Sequence, residues 1–367
     1  MPFQTLLLEQ LKLSHPIIQA PMAGGATTPE LVAAVSETGA LGFIGAAYLT
    51  PAQITEQAAA VRARTSRPFG INLFAPLPVP ALPENPAPAL ARLAGYHAEL
   101  GLPPPSLPSA PHIAFDEQLS AAIESGAAVF SFTFGMLPLE AVGKIKARGL
   151  YLIGTATTVE EGEILEKAGV DAVVAQGSEA GGHRGAFAAD YAAGMVGTIS
   201  LVPALVDAVR VPVIASGGIM DGRGIAAALA LGASAVQMGT AFLTCTEAGI
   251  PDVYKEAILT AHEDATRVTR AFSGRPARGI ANRFMIEVEA EGPEAILPYP
   301  LQNALTRPLR SAATRQERTE FLSLWAGQGV RLSRRQPAAE LIRRLAEETD
   351  AAARRLAAMG EGGPAAL

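Results

Sequence analysis

The chain has 367 residues, 49% of them apolar but only 5% aromatic, and a net charge of -6 with no basic block. That composition permits a sizeable core of closely packed helices and strands, and it argues against an aromatic-lined sandwich and a nucleic-acid-binding surface. The single cysteine, Cys245, excludes an internal disulfide and a cysteine-based metal cluster and fits a reducing compartment.

The amino terminus lacks a basic region. Glu9, Gln10 and Lys12 interrupt its apolar runs, so a signal peptide is not expected and a cytoplasmic location is. Eight short apolar runs then recur, at 16–22, 41–47, 68–74, 127–135, 151–157, 171–177, 211–218 and 234–242. They are continuous rather than alternating, as in parallel strands buried on both faces. Helical segments lie between them. Those at 28–39 and 50–65 open with Thr-Pro, an N-cap followed by proline at the first helical position. Those at 115–126, 137–149, 158–169 and 221–232 end in glycine. Eight strand–helix units predict an α/β fold, a (β/α)8 TIM barrel. The alternative, a doubly wound sheet, lacks a GxGxxG after its first strand. Residues 224–246 carry no charge, which is long enough for a membrane span, but Ala, Gly and the 232–234 break read as a buried helix and strand.

Two segments exceed a minimal barrel. Residues 75–111 hold 11 of the 28 prolines and read as a loop that covers the site. Residues 248–330, after strand eight, show weak strand signals and several helical pieces, which predicts an inserted helical subdomain. The expected layout is therefore a barrel over 1–247, the insert over 248–330, and a C-terminal segment over 331–367. The helix at 337–359 of that last segment places Leu341, Leu345, Ala352 and Leu356 on one barrel-facing side.

Barrel sites lie at the C-terminal ends of strands. Strand one ends in Gln19, Ala20, Pro21 and Met22, strand three in Asn72, and strand four around Thr133. Strand six ends in Gln176 to Glu179, followed by Gly181, Gly182 and His183. Strand seven ends in Gly217 and Gly218, and strand eight in Gln237, Met238, Gly239 and Thr240. Glycines after strands seven and eight let main-chain N–H groups approach a phosphate, and Thr240 adds a hydroxyl. The amides of Gln19, Asn72, Gln176 and Gln237 suit the edge of a neutral heterocycle such as a flavin. In "AQGSEAGGHRGAF" (175–187), His183 sits among small residues that leave room for a ligand. It can act there as proton donor, proton acceptor or anion-binding group. Glu179 reads either as a second acid or base or as a group that orients the loop. His15, His97, His112 and His262 read as structural or solvated, and Cys245 as a buried small residue. No metal-ligand spacing such as HxH, HExxH or CxxC occurs.

The segments "QAPMAGGATTPELVAAVSETGALGFIGAAYLTP", "GINLFAP", "AQGSEAGGHRGAF", "IASGGIMDGRGIAAALALGASAVQMGTAFL" and "LWAGQG" (324–329) resemble the nitronate monooxygenases, formerly 2-nitropropane dioxygenases, of the bacterial class I type. "EAGGH" also occurs in FMN-dependent enoyl reductases and quinone reductases. "LWAGQG" and the Pro-rich insert favour the nitronate enzymes. The resemblance implies an FMN enzyme that oxidises alkyl nitronates such as propionate 3-nitronate with O2 to a carbonyl compound and nitrite, through a flavosemiquinone and without nicotinamide. It implies His183 as the active-site histidine. It implies FMN contacts at Asn72, Gln176, Gly181, Gly218, Gln237, Met238, Gly239 and Thr240, beside the strand ends at Ala20, Pro21, Met22 and Gly217. It places Tyr299 near the nitronate. Thr133, Asn303 and Arg307 depart from the histidine, tyrosine and lysine of some relatives, which bears on the nitronate accepted. Arg307 keeps a positive charge for a small anionic substrate. No membrane or nucleic-acid partner is expected, and monomer and homodimer stay open. Two other readings remain: an NAD(P)H-dependent FMN reductase of quinones or enoyl thioesters, and a flavin-binding protein without turnover.

Overall fold

The computed structural model describes residues 4–78, 80–81, 84–107, 114–188, 190–290, 292 and 295–360. His112 lies outside them. All eight expected runs are strands of one parallel sheet: β1 (Ile17–Gln19), β2 (Gly42–Gly45), β3 (Phe69–Phe74), β4 (Val129–Thr133), β5 (Tyr151–Ala156), β6 (Ala172–Gln176), β8 (Val213–Ser216) and β9 (Ala235–Met238). The order β1-β9-β8-β6-β5-β4-β3-β2 runs round a barrel. Its seam lies between β1 and β2, where Ile18 pairs with Leu41. Gln19 closes that seam. Its Oε1 accepts the Phe43 N–H at 3.0 Å and its Nε2 donates to the Ala20 carbonyl. Gln19 is therefore fully buried and does not face the mouth, contrary to its reading as a mouth amide. A buried N–H that the strand ladder does not reach needs a partner, and the side chain supplies one.

Helices alternate with these strands: α1 (Leu6–Leu11), α2 (Pro29–Glu37), α3 (Pro51–Arg62), α4 (Ala87–Glu99), α5 (Phe115–Glu124), α6 (Leu139–Ala147), α7 (Val159–Lys167), α8 (Thr198–Ala208), α9 (Gly222–Ala230) and α10 (Thr240–Leu243). The starts follow the capping signals. Thr28 accepts the Leu31 N–H at 3.1 Å, and Thr50 forms a capping box with Gln53. Before the barrel, Leu7, Leu8 and Leu11 of α1 pack with Ile18, Phe43, Val129, Ile153 and Ile214. They plug the end where the strands begin, leaving the opposite end for chemistry. The uncharged stretch 224–246 runs through α9, β9 and α10. Among the described residues, no helix is long and apolar enough to cross a membrane.

The chain after β9 forms α11 (Asp252–Leu259), α12 (Arg283–Ala290), α13 (Leu301–Leu305) and α14 (Arg307–Arg315), and also the strands β10 (Thr266–Thr269) and β11 (Ala277–Ile280). These two strands read "TRVT" and "ARGI", without the apolar run that marks the barrel strands. They pair antiparallel with each other and with a two-residue strand, β7 (Gly182–His183). The described residues of the Pro-rich segment pack away from the expected site. No described residue of 75–111 lines the cavity. Instead Leu93, Tyr96 and Leu100 of this segment join a second core with Phe284, Leu309 and Phe321. Arg92 Nη1 donates to the carbonyls of Glu287 and Val288 at 3.0 and 2.8 Å.

The last helix, α15 (Ala338–Gly360), packs on α9 and α2. Leu341 and Leu345 are buried as expected, but Leu356 is 58% exposed because the helix has by then passed the edge of the barrel. The approach to α9 depends on Gly222. A Cβ there would stand 2.3 Å from the backbone of Glu348 and Thr349. Gly222→Ala should therefore force α15 outward and cost about 1–3 kcal/mol in urea denaturation. An unchanged midpoint would show that the two helices do not meet at this register.

Candidate active site

The C-terminal ends of the barrel strands open into a cavity of about 540 Å³. Ala20, Pro21 and Met22 line it after β1, Asn72 from β3, Thr133 from β4 and Gln176 from β6. Gly181 and His183 follow β6, Gly217 and Gly218 follow β8, and Gln237 to Thr240 stand at the end of β9. Asn303 and Arg307 close the outer side. Of the predicted site residues only Tyr299 is not on the wall. It stands behind it, with its hydroxyl 3.5 Å from that of Tyr48, which does line the cavity.

The bare backbone round His183 has a steric cause. The "LWAGQG" loop packs directly on the loop after β6. A Cβ on Gly181 would lie 2.5 Å from the Ala326 carbonyl carbon and the Gly327 nitrogen. One on Gly327 would lie 2.7 Å from the Glu179 carbonyl oxygen. Gly182 takes φ +75°, which turns the chain into β7. His183 then pairs with Ala277 of β11. Its Nε2 is 2.8 Å from Ser273 Oγ, which lies within hydrogen-bond distance of the Arg275 carbonyl and N–H. Gln176 fixes the loop from below, donating to the His183 carbonyl at 3.0 Å and accepting the Gly185 N–H at 2.8 Å. Both ends of that amide are thus committed to the loop. Glu179 orients the loop too: its carboxylate accepts the Thr198 N–H at 2.9 Å and hydroxyl at 2.8 Å, capping α8.

The imidazole is ringed by Trp325 at 5.4 Å, Phe134 at 5.8 Å and Tyr299 at 6.0 Å between centroids. Burial, reinforced by the positive charges of Arg275 and Arg310, pushes its pKa down to about 3. His183 is therefore neutral at physiological pH. The sign follows: an imidazole whose folded pKa lies below 6.5 costs stability as pH falls from about 6.5 towards 3. Phe134, at φ +78°, is held in this unusual conformation by Phe74 at 4.4 Å and by the Arg275 guanidinium 4.0 Å over its ring.

The glycines after β8 and β9 form a cradle of main-chain N–H groups on the cavity wall. The main-chain N–H groups of Gly217, Gly218 and Gly239 meet no acceptor among the described residues. Gly217 and Gly218 reach this geometry at φ +131° and +69°. The longer helix α9 takes no part, since Asp221 accepts its first N–H groups at 3.0 and 3.3 Å. The Thr240 hydroxyl accepts the Gly327 N–H at 2.9 Å, again joining this wall to the "LWAGQG" loop. The Gln237 side chain has no hydrogen bond to a described residue, and the Asn72 amide donates to Ser131 at 2.8 Å, which leaves its side-chain oxygen for a ligand. These donors and acceptors fit a phosphorylated heterocycle in the size range of small-molecule sites.

Sequence reasoning missed Tyr48, Phe134, Arg184, Ser273, Arg275, Arg310 and the role of Trp325. Arg184 is 1% exposed, and it ties the carbonyls of Gln176, Gly177 and Gly194 at 2.6–2.9 Å. The described residues beyond 248 that line the cavity come from the start of α11, from α13 and α14 and from the 322–329 loop, whose sequences carry no barrel signal. The one available clue was the lone Trp in "LWAGQG". Cys245 is fully buried and its thiol is pushed up to about 12 by burial, as expected of an inert residue. His97 is buried with Nδ1 2.7 Å from the Pro103 carbonyl.

The nitronate monooxygenase family model matches residues 5–348. A protein of Staphylococcus saprophyticus named probable nitronate monooxygenase is 42% identical over 95% of this chain and 99% of its own length. One of the same name from Staphylococcus aureus strain Newman is 45% identical over 90% of this chain and 93% of its own. Among solved structures, nitroalkane oxidase from Streptomyces ansochromogenes superposes with a TM-score of 0.89 at 40% identity, covering 96% of this chain and 100% of that one. FabK from Thermotoga maritima superposes at 0.77 and 30% identity, covering 97% and 99%. The fold, the cavity and this relatedness over nearly the whole length agree: the chain is an oxidoreductase that belongs to the nitronate monooxygenase family.

Proposed function

We propose that the protein is an FMN-dependent nitronate monooxygenase, which oxidises alkyl nitronates of the propionate 3-nitronate type with O2 to a carbonyl compound and nitrite. One observation carries the reading: a neutral imidazole and unpaired arginine N–H groups face one cavity whose opposite wall is a cradle of unpaired main-chain N–H groups. The cradle at Gly217, Gly218 and Gly239 would hold the FMN phosphate, and Gln237 and Asn72 would meet the ring edge. When bound, FMN supplies the electron-transfer chemistry that no side chain here provides.

The remaining roles fall to the chain's own residues. Arg307 and Arg310 give the outer wall a positive potential that draws in an anion. His183 does not bind that anion by charge, because it is neutral. It can direct a hydrogen bond at a substrate oxygen, and Trp325, Phe134 and Tyr299 keep water from competing. A nitrogen with a pKa near 3 is a weak base, so the site is poorly suited to removing a proton from a neutral nitroalkane. A substrate that arrives as the nitronate does not require that step. The same weakness disfavours a reductase that relies on His183 to protonate its acceptor.

Three outcomes are expected. With propionate 3-nitronate the purified flavoprotein should consume oxygen and release nitrite, while NADH leaves the flavin absorbance unchanged under anaerobic conditions. Bleaching by NADH without any response to the nitronate would move the protein to the reductase reading. His183→Ala should keep its FMN but lose about 10²-fold or more in kcat/KM for the nitronate, and wild-type kinetics would remove His183 from the reaction. Gly239→Val should fold, since a Cβ there meets only Ala20 Cβ at 3.7 Å and Met22 Sδ at 3.8 Å, yet its branched side chain would intrude on the cradle. Its bound FMN, read from absorbance, should fall about tenfold or more. A full flavin complement would contradict the cradle.

A further inference from the structure

Arg184, Arg275 and Arg278 each lie in the field of Glu161 or Glu179 and donate to main-chain carbonyls. Arg310 is different. Its Nη2 forks to the carbonyl and the side-chain oxygen of Asn303, both at 2.8 Å. Its Nε is buried without a hydrogen-bond partner. No described carboxylate pairs with it. Burial pulls its pKa down to about 10, with the Tyr48 phenol opposing and Arg307 adding to the shift, so it stays charged at neutral pH. A buried cation without a counter-charge is costly.

The position of Arg310 explains the exception. Arg307, Arg310, Ser311 and Thr314 line the cavity together, at the i, i+3, i+4, i+7 spacing of one face of α14. Asn303 of α13 grips one nitrogen of the guanidinium, which fixes its plane and leaves Nη1 without an acceptor among the described residues, while Nε is sealed off from the cavity. Arg307 is exposed at the same rim. A rigid guanidinium that keeps its charge and offers Nη1 on the cavity wall suits the oxygens of a carboxylate.

We propose that Arg310 is the fixed member of an anion subsite that takes a carboxylate carried by the substrate away from its reacting nitronate carbon, with Asn303 as its positioning residue and Arg307 as the mobile second cation. The inference rests on the nitronate reading and adds what decides among nitronates: a second negative charge is selected by α14, not by His183.

The test compares kcat/KM for propionate 3-nitronate with that for ethyl nitronate, which lacks the second charge, in wild type, Arg310→Met and Arg310→Lys. The ratio should fall about tenfold or more in Arg310→Met and less in Arg310→Lys, which keeps the charge but not the fork. A ratio that stays within about twofold of wild type in both variants would overturn the proposal. Succinate supplies a reading free of turnover, because it carries two carboxylates at the same spacing. Calorimetry should find succinate bound by wild type and weakened about tenfold or more by Arg310→Met, or by Arg310→Lys should the methionine variant not fold. Equal succinate affinity would overturn the subsite. Turnover of neither nitronate by wild type would sink the nitronate reading, while the succinate titration would still decide the subsite.

Discussion

The contact on which the site depends is the approach of two loops far apart in the chain. Gly181 and Gly327 pack so closely that a Cβ on Gly181 would collide with the Ala326–Gly327 peptide and one on Gly327 with the Glu179 carbonyl oxygen. That contact seats the "LWAGQG" loop against the loop after β6, brings the Trp325 ring to His183, and joins Gly327 to the Thr240 hydroxyl on the cradle side. Without it the imidazole would be a solvated loop residue. With it, the imidazole is enclosed on one side by aromatic rings and held on the other by Ser273. The glycines therefore serve packing first, and room for a ligand is a consequence of it.

Enclosure also sets the charge. Burial and the neighbouring arginines keep the imidazole neutral, so the positive charge that lines the cavity resides on α14, and in the proposed function anion binding is separated from hydrogen bonding at the reacting group. The barrel supplies a cradle of main-chain N–H groups and the later segment supplies the cations. Both line one cavity, which under the proposed function would hold FMN beside an anionic substrate.

The barrel was legible because each strand is an apolar run closed by a turn signal and each early helix carries its cap. The place of Gly217, Gly218 and Gly239 on the cavity wall was legible for a related reason: glycines that end two adjacent barrel strands stand at its mouth. Gln19 misled because its position at a strand end is the same whether it faces the mouth or mends the seam between β1 and β2. In residues 75–111 proline density marks a constrained segment without saying what it packs on, and Leu93, Tyr96 and Leu100 join the core of the late helices. The strands β10 and β11 are short and rich in arginine, so nothing local marks them. Ser273, Arg275 and Arg310 enter the site through long-range pairing and helix placement, which a single sequence does not encode at short range.

The central claim is that His183 works as a neutral imidazole inside a field of arginines. Nuclear magnetic resonance of the flavin-loaded enzyme with labelled histidine, assigned by the signal lost in His183→Asn, tests it most directly. The His183 ring should keep the shifts of a neutral imidazole throughout a titration from pH 8 down to about pH 5, since its pKa lies near 3. A midpoint near 6.5 would mean that the ring is solvated and becomes charged. In that case His183 would itself be an anion-binding cation, and the division of labour between the barrel loop and α14 would fail.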